Sequence, residues 1–277
     1  MCYIKRYPTA LTIAGSDSGG CAGIQADLKT FSSIGIFGAS VITSITAQNT
    51  KEVRSVEILS KDIIQLQIET VLDDITVDVV KTGMLPSVDI IEMVASAIDR
   101  YQLRTVIIDP VMVATSGARL ASASTAPAFR DYLYSRITLI TPNIPEAETL
   151  SGISIQSEKD MYYAAEVLMK QGCQSVLIKG GHLSSAQSTD ILFSQNKEPV
   201  SFSSAHIESR NLHGTGCTFS SAIAAYMALG NDLEKAVELA KDYITSAIDH
   251  GKDVVTGKGF GPVDHFFAPN TLQVRKT

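Results

Sequence analysis

The sequence predicts an α/β protein built on one mostly parallel sheet. Three observations carry that reading. Short β-branched runs alternate with helical patterns along most of the 277 residues, which is the signature of repeated βαβ units. The composition, 45% hydrophobic and 19% charged, is that of a globular chain long enough for a sizeable core. No repeat, low-complexity stretch or linker divides the chain, so residues 1–277 are expected to form one domain.

The elements follow in order. Strands are expected over 11–14, 39–45, 77–80, 106–108, 139–141 and 176–178, each a short run rich in Val, Ile, Leu or Thr. Helical patterns fall between or after them at 24–34, 62–72, 88–101, 126–134 and 158–171. Residues 190–193 and 200–202 read as strands with no helix between them, so a small antiparallel edge is expected there. Two long helices then follow, over 218–229 and 233–250. In the first of these Phe219, Ile223, Tyr226 and Met227 recur at helical spacing, and Gly230 reads as the stop.

Composition also excludes classes of function. The net charge of −6 provides no electrostatic footprint for nucleic acid. No segment approaches the ~20 apolar residues that span a bilayer. The four cysteines, Cys2, Cys21, Cys173 and Cys217, form no CxxC pair, and no nearby histidine completes zinc-ligand spacing. The opening Met-Cys-Tyr-Ile-Lys-Arg-Tyr-Pro has no apolar run of a signal peptide. Reduced thiols in a cytoplasmic protein are therefore expected.

The residues that follow each strand say more about function. Gly15-Ser16-Asp17, Gln48-Asn49-Thr50, Lys81-Thr82-Gly83-Met84, Asp109-Pro110-Val111-Met112, Thr141-Pro142-Asn143 and Lys179-Gly180-Gly181-His182 close the six strands. Ligands of open parallel sheets bind beyond the carboxyl ends of the strands. Turn chemistry explains any one of these segments; together they describe a polar-lined site.

The most informative stretch is Asn211-Leu-His-Gly-Thr-Gly-Cys-Thr-Phe-Ser-Ser221. A glycine-rich turn that opens a helix presents unpaired N–H groups at the positive end of the helix dipole, which suits a phosphate. Cys217 lies in that turn, where a helix N-terminus lowers a thiol pKa. An anion cradle beside an activatable group points to phosphoryl transfer. The same residues also read as a glycine turn before a core helix with a buried cysteine. The segment from Gly15 to Asp27 is dense in glycine, but it is neither a Walker A loop nor a Rossmann fingerprint. Asn143-Ile-Pro-Glu146 reads either as a well-formed helix N-terminus, with Pro145 in its first turn, or as oxygen ligands for Mg²⁺ with Asp109 as second carboxylate. Lys179, and more weakly Lys81, ends a strand where an anion is needed, either a nucleotide phosphate or a carboxylate. His213 and His182 are contacts at most.

These segments, ALTIAGSDSGGCAGIQADLKTF, SVITSITAQNT, KTGML, VIIDPVM, LITPNIPEAE, VLIKGGH, HGTGCTFSSAIAA and GKGFGPVDHF, run in order from residue 10 to residue 266. Together they resemble the ribokinase-like superfamily, and within it the hydroxymethylpyrimidine/phosphomethylpyrimidine kinases. The resemblance implies a three-layer sandwich with helices on both faces of the sheet. It implies ATP-dependent phosphorylation, with Mg²⁺, of a hydroxymethyl aminopyrimidine and then of its monophosphate, in thiamine biosynthesis. It places an anion hole on Gly214, Thr215 and Gly216, and a base on Cys217. It places the pyrimidine reader on Gln48 and the other substrate contacts on Gly15, Asp27, Met84 and Val111. It places the metal on Asp109 and Glu146, and the nucleotide on Lys179, Asn143, His213 and Gly216. A homodimer with small-molecule partners, without nucleic acid or membrane, is the assembly it implies. A pyridoxal kinase of the same superfamily, or a silent pyrimidine-binding regulator, are the rival readings.

Overall fold

The computed structural model describes residues 5–112, 124–181 and 187–276; His182 lies outside them. The chain begins β1 (Lys5–Arg6), β2 (Thr9–Asp17), α1 (Gly23–Ile34), β3 (Phe37–Gln48), β4 (Val53–Ile58), α2 (Lys61–Leu72), β5 (Val79–Thr82), α3 (Val88–Tyr101) and β6 (Val106–Ile108). It continues α4 (Thr125–Ala128), β7 (Leu139–Ile140), α5 (Ile144–Ser151), α6 (Glu158–Lys170), β8 (Ser175–Lys179), β9 (Gln187–Ser194) and β10 (Val200–Ala205). It closes with α7 (Thr215–Ala228), α8 (Leu233–Gly251) and β11 (Arg275–Lys276).

Nine strands form one sheet in the order β10-β9-β8-β7-β6-β5-β2-β3-β4. The pairs from β8 through to β3 are parallel, and β10/β9, β9/β8 and β3/β4 are antiparallel. β1 and β11 make a separate antiparallel pair.

Successive strand residues point to opposite faces, so each central strand feeds two cores. On β6, Val106 and Ile108 join the apolar layer under α2, α3, α5 and α6, whereas Ile107 joins the layer under α1, α7 and α8. On β2, Leu11 and Ile13 take the first side and Ala10 the second. The second layer is thin because α7 presents Ala222, Ala224, Ala225 and Ala228, which bring its backbone close to the sheet. Helices therefore cover both faces, and the loops at the carboxyl ends of the parallel strands share one edge.

The expected antiparallel edge is β9 and β10. Two differences stand out, and the first has a physical reason. β4 was not expected: Val-Arg-Ser-Val-Glu-Ile is a rim strand, exposed over most of its length, so it lacks the continuous apolar run of a central strand. The helix expected over 126–134 is instead α4, a π-helical turn at Phe129–Leu133 and a 3-10 turn at Tyr134–Arg136.

Candidate active site

At the carboxyl edge of the parallel strands lies a cavity of about 690 Å³. Its wall takes Gly15 from the end of β2, Gln48 from β3, Met84 from beyond β5, Asp109 and Val111 from beyond β6, and Asn143 and Glu146 from beyond β7. Lys179 ends β8 into it, and the segment from His213 to Cys217 crosses it. Of the substrate, nucleotide, metal and anion-hole residues expected at the site, Asp27 does not reach this wall, and neither does the weaker candidate Lys81.

The first loop is organised by Asp17. Its carboxylate accepts the N–H groups of Gly19 (2.8 Å), Cys21 (2.9 Å) and Ala22 (2.8 Å). The turn this creates leads into α1, whose first residue, Gly23, packs on the Gly15 carbonyl with φ +57°. Gly214, at φ +85°, leaves no room for a Cβ against the Cys21 carbonyl. The glycine-rich loop and the anion turn are thus seated directly on each other, and the glycines are needed for that approach.

The anion turn differs in detail from the sequence expectation. The Thr215 N–H donates to the Leu212 carbonyl (3.2 Å) and so is not available to a phosphate. The amides of Gly216 and Cys217, one residue further on, have no acceptor on the preceding turn among the described residues. They stand at the start of the fourteen-residue α7, where such groups hold an anion.

Cys217 lines the cavity on this turn. The expected low thiol pKa is not found. Burial pushes the thiol up to about 12; Lys81 and the Gly23 N–H act downward, and Asp27 and Asp109 act upward. Desolvation of the charged form outweighs the nearby positive groups.

Two lysines meet two different anions. Lys81 is fully buried and donates to Asp27 at 2.8 and 3.0 Å; Asp27 also accepts from Thr12 (2.6 Å) and Ser221 (2.6 Å). Asp27 is therefore a buried knot joining β2, α1, β5 and α7 behind the cavity, which corrects its assignment as a substrate contact. Every acceptor position facing its neighbours is engaged within the protein. Lys179 donates to Asp109 (2.8 Å), which also accepts from Thr141 (3.3 Å) and Ser220 (3.2 Å). Burial works against the Asp109 carboxylate, but Lys179 and Lys81 hold it below its ordinary range.

Asn143 and Glu146 realise the helix N-terminus read from the sequence. Asn143 Oδ1 accepts the Glu146 N–H and the Glu146 carboxylate accepts the Asn143 N–H, both at 2.9 Å, a reciprocal capping box for α5. Burial raises the Glu146 carboxyl to about 7; Lys179 opposes the rise and Asp109 adds to it. Two mutually repelling carboxylates that share one lysine on a cavity wall suit a divalent cation.

At the far side, Gln48 Nε2 lies 2.9 Å from His213 Nε2. His213 was expected with the nucleotide; the structure pairs its side chain with that of Gln48, the residue expected to read the pyrimidine. Asp17, Cys21 and His213 crowd within 4.8 Å of one another there. The opposite lobe is lined by Ile207, Ile244, Ile248, Ser188, Asp190 and Lys241, none of which the sequence reading singled out. Lys241 donates to Asp190 (2.7 Å), which accepts the Gly180 N–H (2.9 Å). One signal was present: Lys241 stands four residues after Val237 and three before Ile244, on the buried face of α8.

A family model for phosphomethylpyrimidine kinase matches residues 17–264. The chain belongs to the phosphomethylpyrimidine kinase family. Within it, the chain is 45% identical over 269 residues to the hydroxymethylpyrimidine/phosphomethylpyrimidine kinase of Bacillus subtilis, covering 96% of this chain and 98% of that one. It is 43% identical over 264 residues to a probable thiamine biosynthetic bifunctional enzyme of rice, covering 94% of this chain but only 48% of the relative. The chain thus spans about half the length of its bifunctional relatives. The pyridoxal kinase of Staphylococcus aureus, solved with pyridoxal, superposes with a TM-score of 0.87 at 33% identity over 98% of this chain and all of that one. The sheet, its two helical layers and this likeness make the fold ribokinase-like.

Proposed function

We propose that the protein is an ATP-dependent kinase of hydroxymethylpyrimidine, and of the monophosphate it forms, yielding the diphosphate for thiamine biosynthesis. One observation carries the reading: the Gly216 and Cys217 amides, the Asp109–Lys179–Glu146 group and Gln48 line the same cavity. The curated relatives that match along their whole length carry this activity in their names.

On this reading the residues take the following roles. The substrate hydroxyl oxygen attacks the γ-phosphorus as the bond to the ADP oxygen breaks. Charge on the transferring group is met by the Gly216 and Cys217 amides and by Lys179. Gln48, Gly15, Met84 and Val111 hold the pyrimidine, and an amide that both donates and accepts fits an aminopyrimidine edge. Cys217 takes the hydroxyl proton as its thiolate, after its own proton has passed to water; Lys81 and the Gly23 N–H favour that form against the burial that opposes it. Asp109 and Glu146, with Asn143 beside them, would hold Mg²⁺, which would supply charge neutralisation to the phosphates. Lys179 and Gly216 meet the phosphates, and the lobe with Ile244, Ile248 and Lys241 takes the rest of ATP. The S. aureus pyridoxal kinase has been solved with ADP and with AMP-PCP and pyridoxal, which supports nucleotide use in this fold.

The reading includes a cytoplasmic enzyme whose partners are small molecules, assembled as a homodimer; light scattering in solution tests the assembly. No helix among the described residues is long and apolar enough to cross a membrane. The likeness to pyridoxal kinases supports pyridoxal as a second substrate. ADP release with hydroxymethylpyrimidine, its monophosphate, pyridoxal and pyridoxine decides among the readings. Release with the first two confirms the proposal, release with the last two alone replaces it, and none at all indicates a regulator.

A further inference from the structure

We propose that His213 is a positioning residue that fixes which way the Gln48 amide faces the substrate, and thereby selects an aminopyrimidine edge over other heteroaromatic alcohols. The inference rests on the pyrimidine reading of the same cavity.

The backbone of Gln48 is already held at both ends. Its N–H donates to the Ser18 hydroxyl (2.9 Å), and that hydroxyl donates to the Gln48 carbonyl (2.9 Å). What remains to be set is the side-chain amide, whose oxygen and nitrogen present opposite chemistry. A nitrogen-to-nitrogen approach of 2.9 Å between Gln48 and His213 is a hydrogen bond only if the ring Nε2 is bare and accepts. His213 must therefore be the neutral tautomer with its proton on Nδ1. Its surroundings agree. The residue is 6% exposed, and burial lowers the ring's basicity against opposing contributions from Asp17 and the Phe260 backbone. The groups facing it are Asp17, Cys21, Gln48 and that backbone. The backbone that carries the ring is also held, because the His213 main-chain N–H donates to the Gly261 carbonyl (3.1 Å).

The amide carries two N–H groups and one carbonyl oxygen. His213 takes one N–H. The Gln48 Oε1 lies 3.2 Å from the Thr46 hydroxyl, which has a second acceptor in the Ser16 carbonyl at 3.0 Å. One N–H and the carbonyl then remain for the cavity, in a fixed order. That pair complements a ring nitrogen next to an exocyclic amine, the edge of an aminopyrimidine. A pyridine bearing a phenol beside an aldehyde instead closes that donor and acceptor on each other in an internal hydrogen bond. Without His213 nothing accepts that N–H, and the buried amide is left unpaired on one side and no longer holds its donor and acceptor in that order.

His213 also immediately precedes Gly214 in the anion turn. The side chain that orients the substrate reader and the turn that takes the phosphoryl group are thus adjacent in the chain.

Steady-state kinetics on the intact chain test the proposal alongside the tautomer of the histidine. His213→Phe is expected to raise the pyrimidine KM about tenfold, the loss of one buried hydrogen bond. The KM for ATP and the kcat/KM for pyridoxal should move by less than about threefold, on the same reasoning. His213→Asn, whose amide oxygen can still accept, should recover most of the loss. Adding Gln48→Ala to His213→Phe should cost little more, since the two act as a unit. In ¹⁵N-histidine NMR of the wild type at neutral pH, Nε2 of His213 should be unprotonated. A protonated Nε2, or equal losses for pyrimidine, pyridoxal and ATP, overturns the proposal. A wild type that releases no ADP with the pyrimidine sinks the functional reading instead. The tautomer measurement still decides whether His213 orients Gln48.

Discussion

At the scale of single residues, the site sets nucleophilic and acidic groups against burial. The Cys217 thiol, pushed up to about 12 chiefly by burial, is protonated at neutral pH before ligands arrive. Iodoacetamide should therefore label it at pH 7 at least about a hundredfold more slowly than a free cysteine, since only the thiolate reacts. Peptide mapping reads the rate, and fast labelling at pH 7 contradicts the account. Cys217→Ala should lower turnover while leaving the pyrimidine KM nearly unchanged; unaltered turnover removes the residue from proton transfer. Glu146 gives a pH dependence of definite sign. Its carboxyl lies at about 7 in the folded chain against 4.5 unfolded, mainly through burial. The folded state therefore binds the extra proton between those values, so its contribution to stability is full below pH 4.5 and falls as pH rises to about 7. The difference of roughly 2.5 units corresponds to ~3 kcal/mol at most. Urea unfolding across that range should show Glu146→Gln gaining on the wild type as pH increases. The capping bond survives that change, because the amide oxygen still accepts from Asn143. Parallel curves would place the carboxyl near its ordinary value.

At the scale of elements, the chemistry depends on two helix starts meeting. α1 begins at Gly23 and α7 at Thr215, and their leading turns touch where Gly214 lies on the Cys21 carbonyl. This was legible in the sequence only in part. Glycines before both helices were visible, and the glycine turn before α7 does line the cavity, but spacing alone could not show that Thr215 spends its own amide on Leu212. Nor could it show that Asp17 ties the first loop through three amides, because an aspartate in a glycine-rich turn is ordinary turn chemistry. The contact predicts the outcome of Gly214→Ala. A left-handed residue with a Cβ costs ~1–2 kcal/mol by itself, and here the Cβ would overlap the Cys21 carbonyl. The two loops must separate, so ADP release should fall to background while the far-UV circular dichroism of the sheet and helices persists. An active Gly214→Ala enzyme would show that the loops need not touch.

At the scale of the whole molecule, the order of the sheet decides which distant residues serve one site. The six strand ends were legible because each carries a polar or glycine-rich signature. The lobe proposed for the nucleotide was not, because Asp190 and Lys241 look like ordinary charges on a hairpin and a helix. Likewise Asp27 looked like a site residue, and only the fold shows Lys81 and Ser221 enclosing it. The β8/β9 register sets Asp190 opposite Lys179, and α8 then brings Lys241 from the second helical layer onto Asp190. The result is a chain of contacts from α8 through Asp190 to the Gly180 amide and so to the turn that carries Lys179. Lys241 and Asp190 have side chains only 9% and 5% exposed, so breaking the pair strands a charge. Lys241→Met should cost ~3 kcal/mol of stability, the range for a buried ion pair losing one partner. It should also raise the KM for ATP about tenfold, by the loss of a charge-assisted hydrogen bond near the phosphate end. Asp190→Asn in the same chain removes the stranded carboxylate and should restore most of the stability. If the KM for ATP recovers with it, Lys241 acts by holding the Lys179 turn; if stability returns while the KM stays high, Lys241 touches the nucleotide itself. A Lys241→Met enzyme with wild-type stability and wild-type KM for ATP would remove α8 from the nucleotide site.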